Sequence, residues 1–227
     1  MFLLANQAYL DGTYEKAAAM YEKIRQGGHS NGHIFYNLGN CYVRMNKLGK
    51  AILNYHKALI LVPRDGDCKA NLRYARGRTM DRIEDVGEAS LLHTLAFWYF
   101  GLNFQELLIC FLALHTLFWI AALLRLYGDR EWVKWVFALS LILSIVMGAS
   151  GILKYRDTRF NRLGVILVEE ANVRSGYSQQ DTVLFLLHEG AEVQIIGEEN
   201  GWHKIQLPDG KKGWITQEYM GRASLPL

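Results

Sequence analysis

The chain has 227 residues, 51% of them hydrophobic and 21% charged, with a formal charge of +3. That length allows one or two small domains, and the charge is divided: thirteen Lys/Arg face six Asp/Glu over residues 1–82 (net +7), against five and nine over residues 164–222 (net −4). The acidic end argues against a nucleic-acid partner, the basic start favours acidic partners, and no nucleophile, phosphate-loop or metal pattern occurs. The three cysteines, Cys41, Cys68 and Cys110, have no metal spacing, and their odd number sets no disulfide framework. No catalytic residue, metal site or cofactor is therefore expected.

The first segment repeats itself at an offset of 34 residues. Leu4 matches Leu38, Asn6 matches Asn40, Lys16 and Ala17 match Lys50 and Ala51, Tyr21 matches Tyr55, and Lys23 matches Lys57. The second copy reads Phe35-x2-Leu38-Gly39-x2-Tyr42-x8-Ala51-x3-Tyr55-x2-Ala58-x4-Pro63. Small Gly39 and Ala51 let two helices approach, Leu38, Tyr42, Tyr55 and Ala58 fill the space, and Pro63 ends the second helix. This pattern resembles the tetratricopeptide repeat. In that register the first copy opens at Met1, where Phe35 stands in the second, so its first helix lacks a few residues; residues 1–4 are too short for a signal peptide. Gly12 breaks the turn within the first copy, and residues 27–32 link the two. A further helix is expected over residues 65–84, capped by Asp65 or Asp67, with Leu72, Ala75 and Thr79 on one face. Arg73, Arg76, Arg78 and Arg82 suit the polar outer side of a terminal cap. The repeats and capping helix take residues 1–85.

Asn6, Tyr36, Asn40 and Arg44 are assigned to a partner-binding groove of the repeats. By the resemblance, Asn6 and Asn40 match half of a carboxylate clamp. The basic half is missing, because Ala70 and Tyr74 stand in its places. The other reading of the two asparagines is local hydrogen bonding between neighbouring helices.

Residues 88–103 form an amphipathic, aromatic stretch in which Trp98, Tyr99 and Phe100 suit an interfacial helix. Two apolar runs follow. Residues 107–124 (LLICFLALHTLFWIAALL) carry no formal charge, nor do residues 135–153, and the charges lie in the break between them. A bilayer core takes roughly 20 apolar helical residues, so two transmembrane helices are expected, over 104–126 and 132–153. Asn103 stands at the first as a cap, and Trp132 and Trp135 stand as anchors at the second. This hairpin returns both flanks to one side of the membrane. Ser140, Ser144 and Gly148 form a stripe of small residues for helix packing, either against the first span through Ala113, Ala121 and Ala122 or against a partner's helix. His115 is the ionisable side chain deep in a span: either a functional group or a neutral histidine bonded to Ser or Thr. Basic residues on both flanks leave sidedness undecided by charge.

From Gly164 the pattern turns to period two, with short strands at Val183, Glu192, His203 and Gly213 and a turn at Leu207-Pro208-Asp209-Gly210-Lys211. Ala171-Asn172-Val173-Arg174-Ser175-Gly176, Leu187-His188-Glu189-Gly190, Gly201-Trp202-His203-Lys204-Ile205 and Asp209-Gly210-Lys211-Lys212-Gly213-Trp214-Ile215 resemble a bacterial SH3 domain, over residues 164–222. The resemblance implies that Asn172, Arg174, Trp202 and Trp214 shape a groove for peptidoglycan or a peptide. The alternative is that the two tryptophans fill the small core.

The expected fold is thus multidomain: an all-α tetratricopeptide solenoid, a two-helix transmembrane hairpin and a small all-β SH3-like barrel. That order resembles the BatE-type membrane proteins of bacterial aerotolerance operons. The resemblance implies a non-enzymatic, membrane-anchored scaffold of a cell-envelope complex, at the bacterial inner membrane with both soluble modules periplasmic. Its implied partners are von Willebrand factor A-type membrane proteins and a MoxR-type ATPase. A cell-wall sensor, or an accessory to a wall-active enzyme, is the alternative.

Overall fold

In the computed structural model, residues 1–28, 31–81, 94–128, 130–160 and 162–225 are described. They fall into two units, one taking in Met1–Glu88 and Phe160–Leu227 and the other Ala89–Arg159.

The first unit opens with α1 (Phe2–Leu10), α2 (Tyr14–Gln26), α3 (Gly32–Arg44), α4 (Leu48–Leu61) and α5 (Gly66–Arg76). The 34-residue period is visible in the backbone. The Asn31 side chain accepts from Ile34 N at 3.0 Å and caps α3, while Asp65 accepts from Cys68 N at 3.0 Å and caps α5. Both intervening turns need the left-handed region, taken by Gly12 (φ +75°) and by Asn46 (φ 56°). A Cβ on Gly39 would stand 2.4 Å from the buried Tyr55 ring, which explains the glycine where α3 crosses α4. The helix expected over 65–84 stops at Arg76. There the backbone tightens to i+3 bonds, with Thr79 N donating to the Arg76 carbonyl at 3.2 Å and Thr79 Oγ1 to the same oxygen at 2.8 Å. Residues 82–84 of that expectation, among them Arg82, lie outside the described residues.

The C-terminal part of this unit is a seven-stranded antiparallel sheet. Its strands are β1 (Leu163–Ile166), β2 (Glu170–Arg174), β3 (Val183–His188), β4 (Glu192–Glu199), β5 (Trp202–Gln206), β6 (Lys212–Thr216) and β7 (Met220–Arg222), in the order β3-β2-β6-β5-β4-β1-β7. Period-two alternation turns Ala171, Val173, Val193, Ile195, Ile205 and Ile215 inward to one core. The β5–β6 turn is closed by Gly210 N to Leu207 O at 2.9 Å, with Gly210 at φ +87°.

The helices and the sheet are not separate bodies on a tether. Val165 and Ala223 belong to the same apolar cluster as Phe35, Ile52, Leu53 and Tyr55. A Cβ on Gly49 in α4 would lie 2.2 Å from the Ile166 carbonyl of β1, so the joint admits no side chain there. Polar bonds rim the joint: Gly49 N donates to Glu189, Asp81 accepts from His188 N at 2.6 Å, and Glu192 is held by His56 and Arg76.

The second unit holds α6 (Phe97–Gly101), α7 (Phe104–Tyr127) and α8 (Glu131–Arg159). Both long helices are long and apolar enough to cross a membrane, and only 11% of each apolar window is buried. A soluble core helix would hide far more. Asn103 and Glu106 form a reciprocal capping box that starts α7. Of the interfacial helix expected over 88–103, residues 88–93 lie outside the described residues, Thr94 and Leu95 are helical, and a turn at Ala96 separates them from α6. The helix ends at Gly101 because Asn103 must be extended to cap α7. Trp98 Nε1 donates to Ser150 Oγ at 3.3 Å and Lys154 Nζ to the Tyr99 carbonyl at 2.9 Å, so α6 is bonded along the end of α8. That helix runs to Arg159, past the expected limit at 153.

Candidate functional site

Two surfaces of the first unit collect polar and aromatic side chains. One is a hollow of about 320 Å³ lined by Asn6, Tyr9, Leu10, Tyr21, Asn37 and Asn40. It rests on a network that occurs twice, 34 residues apart. In the first copy the Tyr21 hydroxyl donates to Asn6 Oδ1, and Asn37 Nδ2 donates to the Tyr21 hydroxyl at 3.2 Å. In the second, the Tyr55 hydroxyl donates to Asn40 Oδ1 at 2.7 Å, and Asn71 Nδ2 donates to the same oxygen at 2.9 Å. Burial pushes the Tyr21 phenol up to about 12 and raises Tyr55 further, so both stay neutral donors. The asparagine oxygens are thereby consumed inside the protein. Among the described residues, the Nδ2 groups of Asn6 and Asn40 have no protein acceptor, and both side chains line the hollow. Such an arrangement offers amide donors to carbonyl or carboxylate oxygens.

Tyr36 lies beside this network, its hydroxyl accepting from Asn71 Nδ2 at 3.2 Å. Arg44 stands apart at the end of α3, stacked over Tyr14 at 4.9 Å. Of the helical residues assigned from sequence, Asn6 thus lies in the first copy of the network, Asn40 and Tyr36 in the second, and Arg44 apart from both. Asn37 and Asn71 were not among them, although their 34-residue spacing was readable.

The second surface is on the barrel, around Trp214. Tyr177 packs edge-on to the Trp214 ring at 5.4 Å, and Lys204 Nζ lies 5.6 Å from its centroid. Arg174 pairs with Trp214 across β2 and β6, and its guanidinium donates to the Asp181 carbonyl at 2.7 Å, tying down the β2–β3 loop. Asn172 is exposed opposite Leu186. Val183, Leu184 and Leu186 stand exposed along β3, next to this face. Trp202 lies elsewhere: it is 9% exposed and sits in the packed interior. Of the four residues assigned to the barrel groove, Asn172, Arg174 and Trp214 are reachable from solvent and Trp202 is not.

In the second unit, Ser140 and Ser144 are buried between α7 and α8, and a Cβ on Gly148 would stand 3.2 Å from the Phe111 ring. The small-residue stripe faces the first span, together with buried Ala121, while Ala113 is turned outward.

Residues 169–221 match the model of the bacterial SH3 domain, and the barrel is a domain of that class. The curated relatives it resembles are described as probable endopeptidase p60. That of Listeria welshimeri is 38% identical over 53 residues, 23% of this chain and 10% of the relative. That of Listeria innocua is 40% identical over 50 residues, 22% of this chain and 11% of the relative. The chain thus spans about a tenth of these relatives' length, within the barrel alone.

Proposed function

We infer that this chain is a non-enzymatic, membrane-anchored adaptor of the bacterial cell envelope. Its barrel reads a wall glycopeptide or a peptide, and its repeats, of tetratricopeptide type, hold a protein partner. The observation that carries the reading is the aromatic and cationic cluster of half-buried Trp214 and Lys204 with exposed Tyr177 on a bacterial SH3 domain. A flat ring beside an ammonium suits a sugar or peptide stem bearing a carboxylate. The repeated Asn–Tyr–Asn network supports the repeat assignment, and its two outward amides suit an extended peptide. The two long apolar helices supply the anchor. The order of repeats, apolar helices and barrel resembles the BatE-type aerotolerance proteins, and on this reading von Willebrand factor A-type membrane proteins and a MoxR-type ATPase are the partners and both soluble modules lie in the periplasm. The p60 resemblance, confined to the barrel, favours a second reading in which wall sensing leads and the repeats only relay it.

The test is sedimentation of the detergent-solubilised full chain with purified peptidoglycan sacculi, beside pull-down of envelope proteins. The adaptor reading expects Trp214→Ala to lose the sacculi, and Asn6→Leu with Asn40→Leu to lose membrane partners. Wall binding that survives Trp214→Ala overturns the barrel assignment. Partner recovery that survives the double asparagine variant overturns the groove.

A further inference from the structure

His115 occupies the middle of α7, halfway between Phe104 and Tyr127, and its side chain is exposed. It lies stacked against Phe111 at 5.4 Å and Phe118 at 6.0 Å on its own helix. Its Nε2 receives the indole N–H of Trp119 at 3.0 Å. An indole nitrogen only donates, so Nε2 is the unprotonated nitrogen and the neutral ring carries its proton on Nδ1. Among the described residues Nδ1 has no hydrogen-bond partner. One position on, the Thr116 hydroxyl donates to the Leu112 carbonyl at 2.8 Å. Its oxygen therefore keeps lone pairs for an incoming donor. Both side chains are exposed on the outside of the hairpin, next to small, outward Ala113.

We propose that this patch is a docking surface for a second copy of the chain, in which His115 Nδ1–H of each copy donates to Thr116 Oγ1 of the other. This rests on the membrane-anchored reading above. In hydrocarbon an unpaired N–H is costly and water is not at hand to satisfy it. A two-fold pair of like-oriented chains brings together only residues at equal depth, and contacts are reciprocal. His115 and Thr116 are one residue apart, about 1.5 Å of helix rise, so they satisfy that condition as donor and acceptor. A His115–His115 contact does not, because each ring already spends its acceptor on Trp119. Ser140, Ser144 and Gly148 are unavailable for self-association, being used within the hairpin.

The experiment is energy transfer between donor-labelled and acceptor-labelled full chains in phosphatidylcholine vesicles, titrated by lipid dilution. His115→Phe keeps the aromatic stack and Thr116→Val keeps the shape. Each deletes one side of both reciprocal bonds. Self-association should weaken roughly tenfold in either variant, as two interhelical hydrogen bonds predict, and no further in the double variant. Unchanged transfer in His115→Phe, additive losses in the double variant, or a wild-type chain that stays monomeric overturns the proposal. Monomers that take up a different membrane protein through His115 do so equally, by giving the patch to another occupant. Alkaline carbonate extraction of the same vesicles separates the two failures. Chain that washes off sinks the membrane reading, whereas chain that stays in the bilayer without pairing sinks only this inference.

Discussion

Glu192→Ala removes the carboxylate on which the joint between helices and barrel closes. In the wild-type protein His56 Nε2 lies 2.7 Å from it, and Arg76 donates through Nε at 2.6 Å and Nη2 at 2.8 Å. Burial pushes this carboxyl up, but the bonds from His56 and Arg76 outweigh burial and hold it at about 2 instead of 4.5. Its side chain is only 12% exposed, so solvent screens the cluster little. Each tenfold change in proton affinity is about 1.4 kcal/mol, so the cluster contributes about 3 kcal/mol to the ionised folded state. Because the folded group binds its proton less tightly than the unfolded one, that contribution is present above pH 4.5. It is lost as the pH falls from there towards 2. Hydrogen exchange read by mass spectrometry on the full chain in detergent is the assay. Glu192→Ala should speed exchange in α4 and in β1 and β4 together, by a factor on the order of 100. Glu192→Gln should flatten the acid dependence in the same segments. Faster exchange in β4 alone, with α4 unchanged, would refute the idea that one core joins the two halves.

The other predictions concern single packed sites. Gly39→Ala drives a methyl into the Tyr55 ring and should cost roughly 1–3 kcal/mol, read as a lower denaturant midpoint for helix loss by circular dichroism. Trp202→Ala should unfold the barrel, seen as collapse of its dispersed methyl signals in NMR spectra, whereas Trp214→Ala should leave those signals in place. His203 is buried, which lowers its proton affinity, and among the described residues its Nδ1 has no hydrogen-bond partner, with the half-exposed Glu198 carboxylate 4.0 Å away. Acid therefore favours the unfolded chain, with stability falling as the pH drops below 6.5. His203→Leu should reduce the loss of thermal midpoint between pH 7.5 and pH 5.5, and an undiminished loss would clear this residue.

What the sequence made legible is what repeats or alternates. The 34-residue offset located two helix pairs, and the structure adds that caps, turns and hydrogen bonds obey the same offset: Asn31 with Asp65, Gly12 with Asn46, Asn37 with Asn71. Strand parity does not separate the tryptophans, because it places both outward. Ile215 points inward, so Trp214 points out; Trp202 shares the outward parity of Lys204 but stands at the strand end, beside the turn in which Gln217 N bonds to the Gly201 carbonyl. Parity fails there, because Trp202 is buried despite its outward position. The joint was not legible at all. Glu192 is 116 residues from Arg76 and 136 from His56, and nothing local marks an acidic strand residue as the partner of two distant helical cations.

On the proposed adaptor reading, that joint has a consequence for binding. Two modules on a flexible tether bind independently, each at its own affinity. Here Val165 and Ala223 pack into the cluster that also buries Tyr55, and Tyr55 holds Asn40 at the groove through its hydroxyl. On that reading, a ligand that rigidifies the barrel would act on the same core that positions the groove, and a partner in the groove would act back on the barrel by the same free energy. Glu192→Ala separates this from simple tethering. If the modules are coupled, the variant leaves each ligand's own binding intact but abolishes any change in sacculus affinity caused by a groove partner. Equal sacculus affinity with and without that partner in the wild-type chain would show that the shared core only holds the two surfaces in place.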